Sequence, residues 1–165
     1  MKKIWLTSIA VFLLVIAMST SAFAKMNKDA GWLSVDNVAI GGITMGMTQD
    51  EVASIYGQPD TSKDYGVSKE SGAYTIMWKY GDTFTVWFAN GYVDGATTTA
   101  NNGIQTPAGI HVGSPVGDIW KSYGQPWLEQ NNKTYYSYWY HTDGGRKLFI
   151  DVKNKHVTRV AMGYE

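Results

Sequence analysis

The chain of 165 residues contains no cysteine. This absence excludes disulfide bonds and a lipid-carrying N-terminal cysteine, so the apolar core alone has to hold the fold together. Charge of one sign is also scarce, because 14 basic residues balance 14 acidic ones and no run of lysines or arginines occurs. Nucleic acid and anionic membranes are therefore not expected as partners.

Motifs that mark common catalytic and metal sites are also missing, among them GxSxG, HExxH, CxxC and glycine-rich phosphate loops. The three histidines, His111, His141 and His156, do not have metal-ligand spacing. Asp50 and Glu51 lie in a predicted first helical turn. The helix dipole stabilises acidic side chains there, so their presence does not indicate a catalytic site. We predict a non-enzymatic protein without metal or cofactor. The alternative is a hydrolytic enzyme, and two carboxyl groups about 5–9 Å apart in a cleft would favour a glycosidase.

The one long apolar run is at the N-terminus. Residues 1–24, MKKIWLTSIAVFLLVIAMSTSAFA, begin with basic residues, continue with an apolar run and end in small residues. This pattern predicts a secretory signal peptide cleaved after Ala24. A membrane-spanning anchor is the alternative, but the run is shorter than the ~20 residues that a bilayer core requires. We therefore expect a secreted or periplasmic protein of the cell envelope, with a polar lead-in over residues 25–36 and no membrane anchor.

The letters YGQP occur twice, at residues 56–59 and 123–126. They end two longer matching segments, GITMGMTQDEVASIYGQPD and GIHVGSPVGDIWKSYGQPW, which lie 67 residues apart. Further along, TVWFANGYVDGA matches FIDVKNKHVTRV, and the same alignment places Trp78 on Trp139. We interpret this as an internal duplication of roughly 65 residues. The first repeat would span residues 37–101 and the second residues 102–165, together forming one compact unit.

Each YGQP motif has the composition of a helix end. Thr48 followed by Glu51 predicts a capping box and a helix start, and Gly57 before a proline predicts its end. In the second copy, Ser114 takes the role of the cap and Pro115 that of the first helical residue. Three alternating aromatic-rich segments with turn signals follow each helix and predict a three-stranded meander. The expected fold class is α+β, with two tandem helix-plus-meander repeats sharing one antiparallel sheet and helices on one face.

The string GITMGMTQDEVASIYGQPD, followed by WKYG and TVWFANGYV, resembles the helix-then-meander module of two related groups. These are the outer-membrane assembly lipoproteins of the SmpA/OmlA family and the tandem-repeat β-lactamase inhibitor proteins. The resemblance covers about residues 40–99 and 107–162. It implies helices on one side of a continuous sheet whose other face grips a protein. The chain departs from both groups in having no cysteine, neither for a lipid anchor nor for disulfides.

Alternation along the strands divides the aromatic residues between two faces of the sheet. The predicted core set is Phe84, Val86, Phe88, Leu148, Ile150 and Val152, joined by Ile76, Trp78, Tyr80, Ser137, Trp139 and His141. The predicted exposed, partner-binding set is Met77, Trp87, Tyr136, Tyr138, Tyr140 and Phe149. A slip of one residue would exchange the two faces.

An exposed face of this composition is typical of the centre of a protein interface. We therefore predict a binding protein for another protein, present as a monomer or a homodimer. The same residues would also suit a purely structural aromatic ladder across the strands. They are compatible as well with a homodimer formed through the sheet, or with a module that stacks on cell-wall carbohydrate.

Overall fold

The computed structural model describes residues 24–26, 31–132 and 135–164. The predicted signal peptide lies outside these residues except for Ala24, so its cleavage stays a prediction. The fold is α+β, and its sheet is mostly antiparallel. Within the described ranges, no helix is long and apolar enough to span a lipid bilayer.

The two helices are α1 (Gln49–Tyr56) and α2 (Val116–Tyr123), and a short 3-10 helix covers Val35–Asn37. The strands are β1 (Ala24–Met26), β2 (Ala39–Ile40), β3 (Ile43–Thr44), β4 (Thr61–Val67), β5 (Tyr74–Tyr80), β6 (Phe84–Ala89), β7 (Tyr92–Thr98), β8 (Leu128–Asn132), β9 (Tyr135–His141), β10 (Lys147–Lys153) and β11 (His156–Gly163). Nine strands form one sheet in the order β1-β8-β9-β10-β11-β7-β6-β5-β4, and β2 pairs with β3.

The two halves of the chain meet in the middle of the sheet. There β7 pairs with β11, and Gly95 lies opposite Gly163. Each helix is followed by four antiparallel strands rather than the three that the sequence predicted. The additional strands are β4 and β8, and β4 is exposed along nearly its whole length at the sheet edge. Such a strand has no buried side to impose an alternating apolar pattern, so its sequence TSKDYGV is polar.

The predicted start and end of α1 are confirmed. The Thr48 hydroxyl accepts a hydrogen bond from the Glu51 N–H, and the Glu51 carboxylate accepts one from the Thr48 N–H at 2.7 Å. Gly57 ends the helix with φ 77°, a left-handed conformation that favours glycine. At α2 the prediction was off by one residue. Pro115 is the N-cap, and Ser114 is buried with its hydroxyl accepting from the His111 N–H.

The predicted core face is confirmed on β5, β6 and β10. Phe84, Val86 and Phe88 are almost fully buried, and so are Leu148, Ile150 and Val152. Trp78 belongs to the same cluster, with Ile76 and Tyr80 packed against it. Val52 of α1 and Ile119 of α2 are buried in the same cluster. Burial of each such side chain contributes about 1.5–3 kcal/mol.

The prediction for β9 was wrong, because its two faces are exchanged. Tyr138 lies opposite Ile150, and Tyr140 opposite Leu148, and both tyrosines are buried in the core. Tyr136 packs partly buried against the same core. The predicted core residues Ser137, Trp139 and His141 instead lie on the opposite face, since they alternate with these tyrosines along β9.

The two faces of β9 are exchanged because the hairpin loop between β9 and β10 is longer than the sequence alignment assumed. Tyr80 pairs with Phe84 across three intervening residues, whereas Tyr140 pairs with Leu148 across seven. The sequence alignment, which placed Trp78 on Trp139, allowed three additional residues instead of four. An error of one residue moves every side chain of a strand to the other face.

The repeated YGQP tyrosines hold the helix ends against the sheet. The Tyr56 ring lies 5.4 Å from the Tyr80 ring, whose hydroxyl donates to the Gly57 carbonyl at 3.0 Å. In the second half, Tyr123 lies 5.3 Å from Tyr140, whose hydroxyl donates to the carbonyl of the glycine that ends α2 at 3.1 Å. A strand tyrosine therefore satisfies a carbonyl at each helix end that the helix itself leaves without a donor.

Raising the pH above about 10 should destabilise the protein, because its buried tyrosines resist ionisation. Burial raises the pKa of Tyr140 and of Tyr123, whereas an unfolded tyrosine ionises near pH 10. The stability that these neutral hydroxyls contribute is therefore complete below about pH 10 and is lost as the pH rises through their higher folded pKa values. Urea unfolding at a series of pH values should show this loss.

The variant Tyr140→Phe has no hydroxyl to ionise and should lose less stability over the alkaline range. At neutral pH it should be about 1 kcal/mol less stable than the wild type, because its hydrogen bond to Gly124 is gone. Tyr164→Phe, which alters an exposed ring, is the control and should follow the wild type. Identical alkaline profiles for Tyr140→Phe and the wild type would contradict this account.

Candidate binding surface

The sheet face opposite the core, here called the outer face, carries a cluster of large side chains in the first half. Lys63 lies opposite Met77, and Met77 lies opposite Trp87, so three neighbouring strands place these residues in one row. Tyr65 leans over this row from β4. Its ring lies 5.5 Å from the Trp87 ring, and its hydroxyl contacts the Met77 Sδ at 3.9 Å. We call Lys63, Tyr65, Met77 and Trp87 the aromatic patch.

A bulge in β4 brings Tyr65 into this position. The pairing of β4 with β5 shifts between Asp64 and Gly66, and Gly66 adopts φ 70°. The Asp64 carboxylate accepts the Gly66 N–H at 2.7 Å and the Tyr74 hydroxyl. A bulge adds one residue to a strand and redirects its side chain, and here the redirected side chain is Tyr65.

The members of the aromatic patch differ in exposure. Tyr65 is 48% exposed, Trp87 is half-buried and Met77 is only 7% exposed. The Lys63 Nζ lies 4.4 Å from the centre of the Tyr65 ring, which is a cation–π distance. The patch therefore presents one open ring to solvent, supported by a buried methionine and flanked by a positive charge.

In the second half the outer face carries a polar network instead. The Asp151 carboxylate accepts hydrogen bonds from the Ser137 hydroxyl at 2.7 Å and from the Arg159 Nε at 2.5 Å. Trp139 donates from its Nε1 to the Ser137 hydroxyl at 2.9 Å. Asp151 is nearly inaccessible, whereas the Arg159 side chain is 39% exposed. Burial, and next the hydrogen bond to Asp151, raises the pKa of Tyr135 to about 12.

The predicted partner-binding residues are therefore divided between the two faces. Met77, Trp87 and Phe149 lie on the outer face, as predicted, and Phe149 makes an edge contact with Trp139 at 5.3 Å. The expectation that Tyr136, Tyr138 and Tyr140 lie there was wrong. The β9–β10 loop is one residue longer than the sequence alignment assumed, and this difference of one residue places the three tyrosines on the core face.

Sequence reasoning missed two outer-face residues, Tyr65 and Arg159. Tyr65 lies in a polar segment without alternation, and only its single aromatic ring within TSKDYGV distinguishes it. Arg159 becomes notable only through Asp151, eight residues away in sequence, because the β10–β11 register places the two opposite each other.

Other sites within the described residues offer less chemistry. No group of three or more histidine, cysteine, aspartate or glutamate side chains in that part of the chain is arranged to hold a metal ion. A depression of about 460 Å³ lies between Gly41, Tyr56 and Gln105, and another of about 300 Å³ adjoins the start of α2 near His111. Neither depression is lined by a residue of the aromatic patch.

No family model and no curated protein matches this chain. Among solved structures, it is similar to an extracellular protein containing an SCP domain from Bacillus anthracis str. Ames, with 11% identity over 86% of this chain and a TM-score of 0.48. The chain spans about half of that protein, 49% of its length.

A second similar structure is a candidate β-lactamase inhibitor protein from Streptococcus mutans. The identity is 9%, the match covers 81% of this chain and 90% of that protein, and the TM-score is 0.32.

Proposed function

We propose that this chain is a non-enzymatic exported protein that binds another protein through the outer face of its sheet. It would act as an inhibitor or as an accessory of envelope assembly. The observation that carries the proposal is the aromatic patch, in which Tyr65 is 48% exposed above Met77 and Trp87. Removing such apolar area from water is favourable, and aromatic residues and methionine are enriched at interface centres.

We also propose that the chain is built from two tandem helix-plus-meander repeats with the helices on one face. The same contacts recurring in both halves support this. Tyr80 bonds to Gly57 at the end of α1, and Tyr140 bonds to Gly124 at the end of α2. The pairing of the third strand with the fourth strand also shifts register at the same place in each half. The shift follows Trp87 in the β6–β7 pair and Asp151 in the β10–β11 pair.

The two halves differ most on the outer face. Equivalent positions there carry unlike residues: Met77 and Ser137, Trp87 and Asp151, and Gly95 and Arg159. The core positions remain apolar in both halves, since Val86 corresponds to Ile150 and Phe88 to Val152. The core residues are thus similar in the two halves, whereas the outer-face residues differ. This contrast supports the outer face as the part that recognises a partner.

The test is affinity capture from envelope and culture fluid, followed by direct titration of each captured protein in purified form. Trp87→Ala should weaken binding of the partner at least tenfold, because a large ring at the centre of the interface is lost. Trp120→Ala is the control, since it removes a tryptophan that is 37% exposed on α2 and does not belong to the aromatic patch. It should leave the affinity within about twofold of the wild type.

The melting temperatures of both variants have to be measured alongside, so that loss of folding is not mistaken for loss of binding. Equal affinity of Trp87→Ala and the wild type for every captured protein would contradict the proposal. Capture of cell-wall carbohydrate, lost with Trp87→Ala, would assign the outer face to a sugar-binding module instead.

A further inference from the structure

The tight turn between β10 and β11 carries a concentration of positive charge. Lys153 and Lys155 are exposed, and the Arg159 side chain is 39% exposed on the outer face of β11. We call these three residues the basic strip. Asp151, the nearest acid on the same strands, is nearly inaccessible and already bonded to the Arg159 Nε. Of the five guanidinium N–H groups of Arg159, one bonds to Asp151 and another interacts with Tyr135, so the others can bond to a further acceptor.

The neighbouring helix adds no competing free acid close to the turn. The Val116 N–H at the start of α2 donates to the Lys155 carbonyl, so this helix packs beside the turn. Its acidic residue in the first turn, Asp118, forms an ion pair with Lys121 at 3.5 Å. Among the described residues around the turn, positive charge therefore predominates.

The backbone of this turn is unfavourable for a lysine. Asn154 and Lys155 form a two-residue hairpin loop with φ values of 51° and 66°. The matching loop between β6 and β7 is Asn90–Gly91, with φ values of 51° and 87°. Glycine is the preferred residue at this second position because a side chain there crowds the backbone. A left-handed lysine at an exposed tip is a local strain of the kind that accompanies functional sites.

We propose that the basic strip binds carboxylates of an acidic segment of the partner protein. This inference rests on the proposed function and names the chemistry of one part of the partner. Lysine and arginine donate charge-assisted hydrogen bonds to carboxylates, and the planar guanidinium of Arg159 suits them especially.

The geometry favours a chain over a flat anionic surface. Lys155 is at the hairpin tip, whereas Arg159 is four residues along β11, about 13 Å away along the strand. A plane of lipid headgroups touching the tip would not reach Arg159 on the sheet face. An extended acidic segment lying along β11 would contact both residues, and it would continue toward the middle of the outer face.

The probe is a fluorescent octaglutamate peptide, titrated with the full protein at low ionic strength, with octaglutamine as the uncharged control. The variant Lys153→Glu/Lys155→Glu should bind octaglutamate at least tenfold more weakly than the wild type. Lys69→Glu/Arg146→Glu makes the same change in net charge away from the strip and should weaken binding less than threefold. Equal weakening in the two variants, or equal binding of octaglutamine, would overturn the proposal.

Lys155→Gly separates binding from folding. Glycine suits the left-handed turn, so this variant should melt at a higher temperature than the wild type while binding octaglutamate about threefold more weakly. Unchanged affinity would remove Lys155 from the site. Phosphatidylglycerol vesicles and a short DNA duplex are tested in parallel, and strip-dependent binding to either without octaglutamate binding would overturn the assignment to an acidic segment.

The outcomes also separate this inference from the proposed function. Trp87→Ala leaves the basic strip intact and should bind octaglutamate like the wild type, whatever its effect on the captured partner. Loss of partner binding in Trp87→Ala together with no octaglutamate binding by the wild type would keep the proposed function and reject the strip. If the wild type binds octaglutamate but the captured partner binds Trp87→Ala as tightly as the wild type, the basic strip would be kept and the proposed function rejected.

Discussion

Replacing Tyr138 by alanine should lower the free energy of unfolding by about 3–5 kcal/mol, the usual cost of truncating a buried aromatic residue. Tyr138 is 4% exposed, stacks on Tyr136 at 6.2 Å and makes an edge contact with Trp120 at 6.0 Å. Its removal would leave a cavity beneath Ile150, its cross-strand neighbour. Urea unfolding followed by circular dichroism measures the loss.

Trp87→Ala is the comparison for this prediction, because Trp87 is a larger residue on the opposite face. It should cost about 1 kcal/mol, since it is half-buried and lies outside the core cluster. A variant Trp139→Ala should fall between the two, given its hydrogen bond to Ser137. If Trp87→Ala or Trp139→Ala were more damaging than Tyr138→Ala, the assignment of the two faces would be incorrect.

Replacing Arg159 by methionine should cost about 2–3 kcal/mol, because it leaves the buried Asp151 carboxylate without its cation. Loss of one partner from a fully buried pair costs about 3–5 kcal/mol. The value expected here is smaller because Arg159 is 39% exposed, so water already screens the pair. The Ser137 hydroxyl remains bonded to Asp151 at 2.7 Å and offsets part of the loss.

The double variant Asp151→Leu/Arg159→Met should recover most of this stability, since it removes the uncompensated charge together with its cation. Lys121→Met is the matched control. It breaks the pair of Lys121 with Asp118, whose side chains are 81% and 47% exposed, and should change stability by less than about 0.5 kcal/mol. A double variant as unstable as Arg159→Met alone would show that Asp151 is not the source of the loss.

Local sequence was sufficient for both ends of α1 and for much of the core. The capping box of Thr48 and Glu51 and the left-handed Gly57 depend on residues a few positions apart, and the structure has both as predicted. The alternation in FTVWF and LFIDV predicted the buried residues of β6 and β10 correctly. In these segments the periodicity of a strand with one buried face is written into consecutive residues.

The faces of β9 could not be derived in the same way. Every second residue of YYSYWYH is a tyrosine, but aromatic residues occupy both of its faces, so alternation does not tell which one is buried. The pairing of Tyr138 with Ile150 decides which face is buried. It depends on the seven residues between Tyr140 and Leu148, four more than separate Tyr80 from Phe84 in the first half. The edge strand β4 was not predicted for a related reason. Its residues are exposed, so they do not have to alternate between apolar and polar side chains.

The candidate binding surface shows the same division between local and tertiary information. The sequence by itself determined that the chain folds into short capped helices and aromatic strands, because caps, turns and alternation act over a few residues. Only the tertiary structure decided that Tyr65 covers Met77 beside Trp87, and that Asp151 joins Ser137 and Arg159. These neighbours are 8 to 22 residues apart in sequence, and strand order, register and one bulge bring them together.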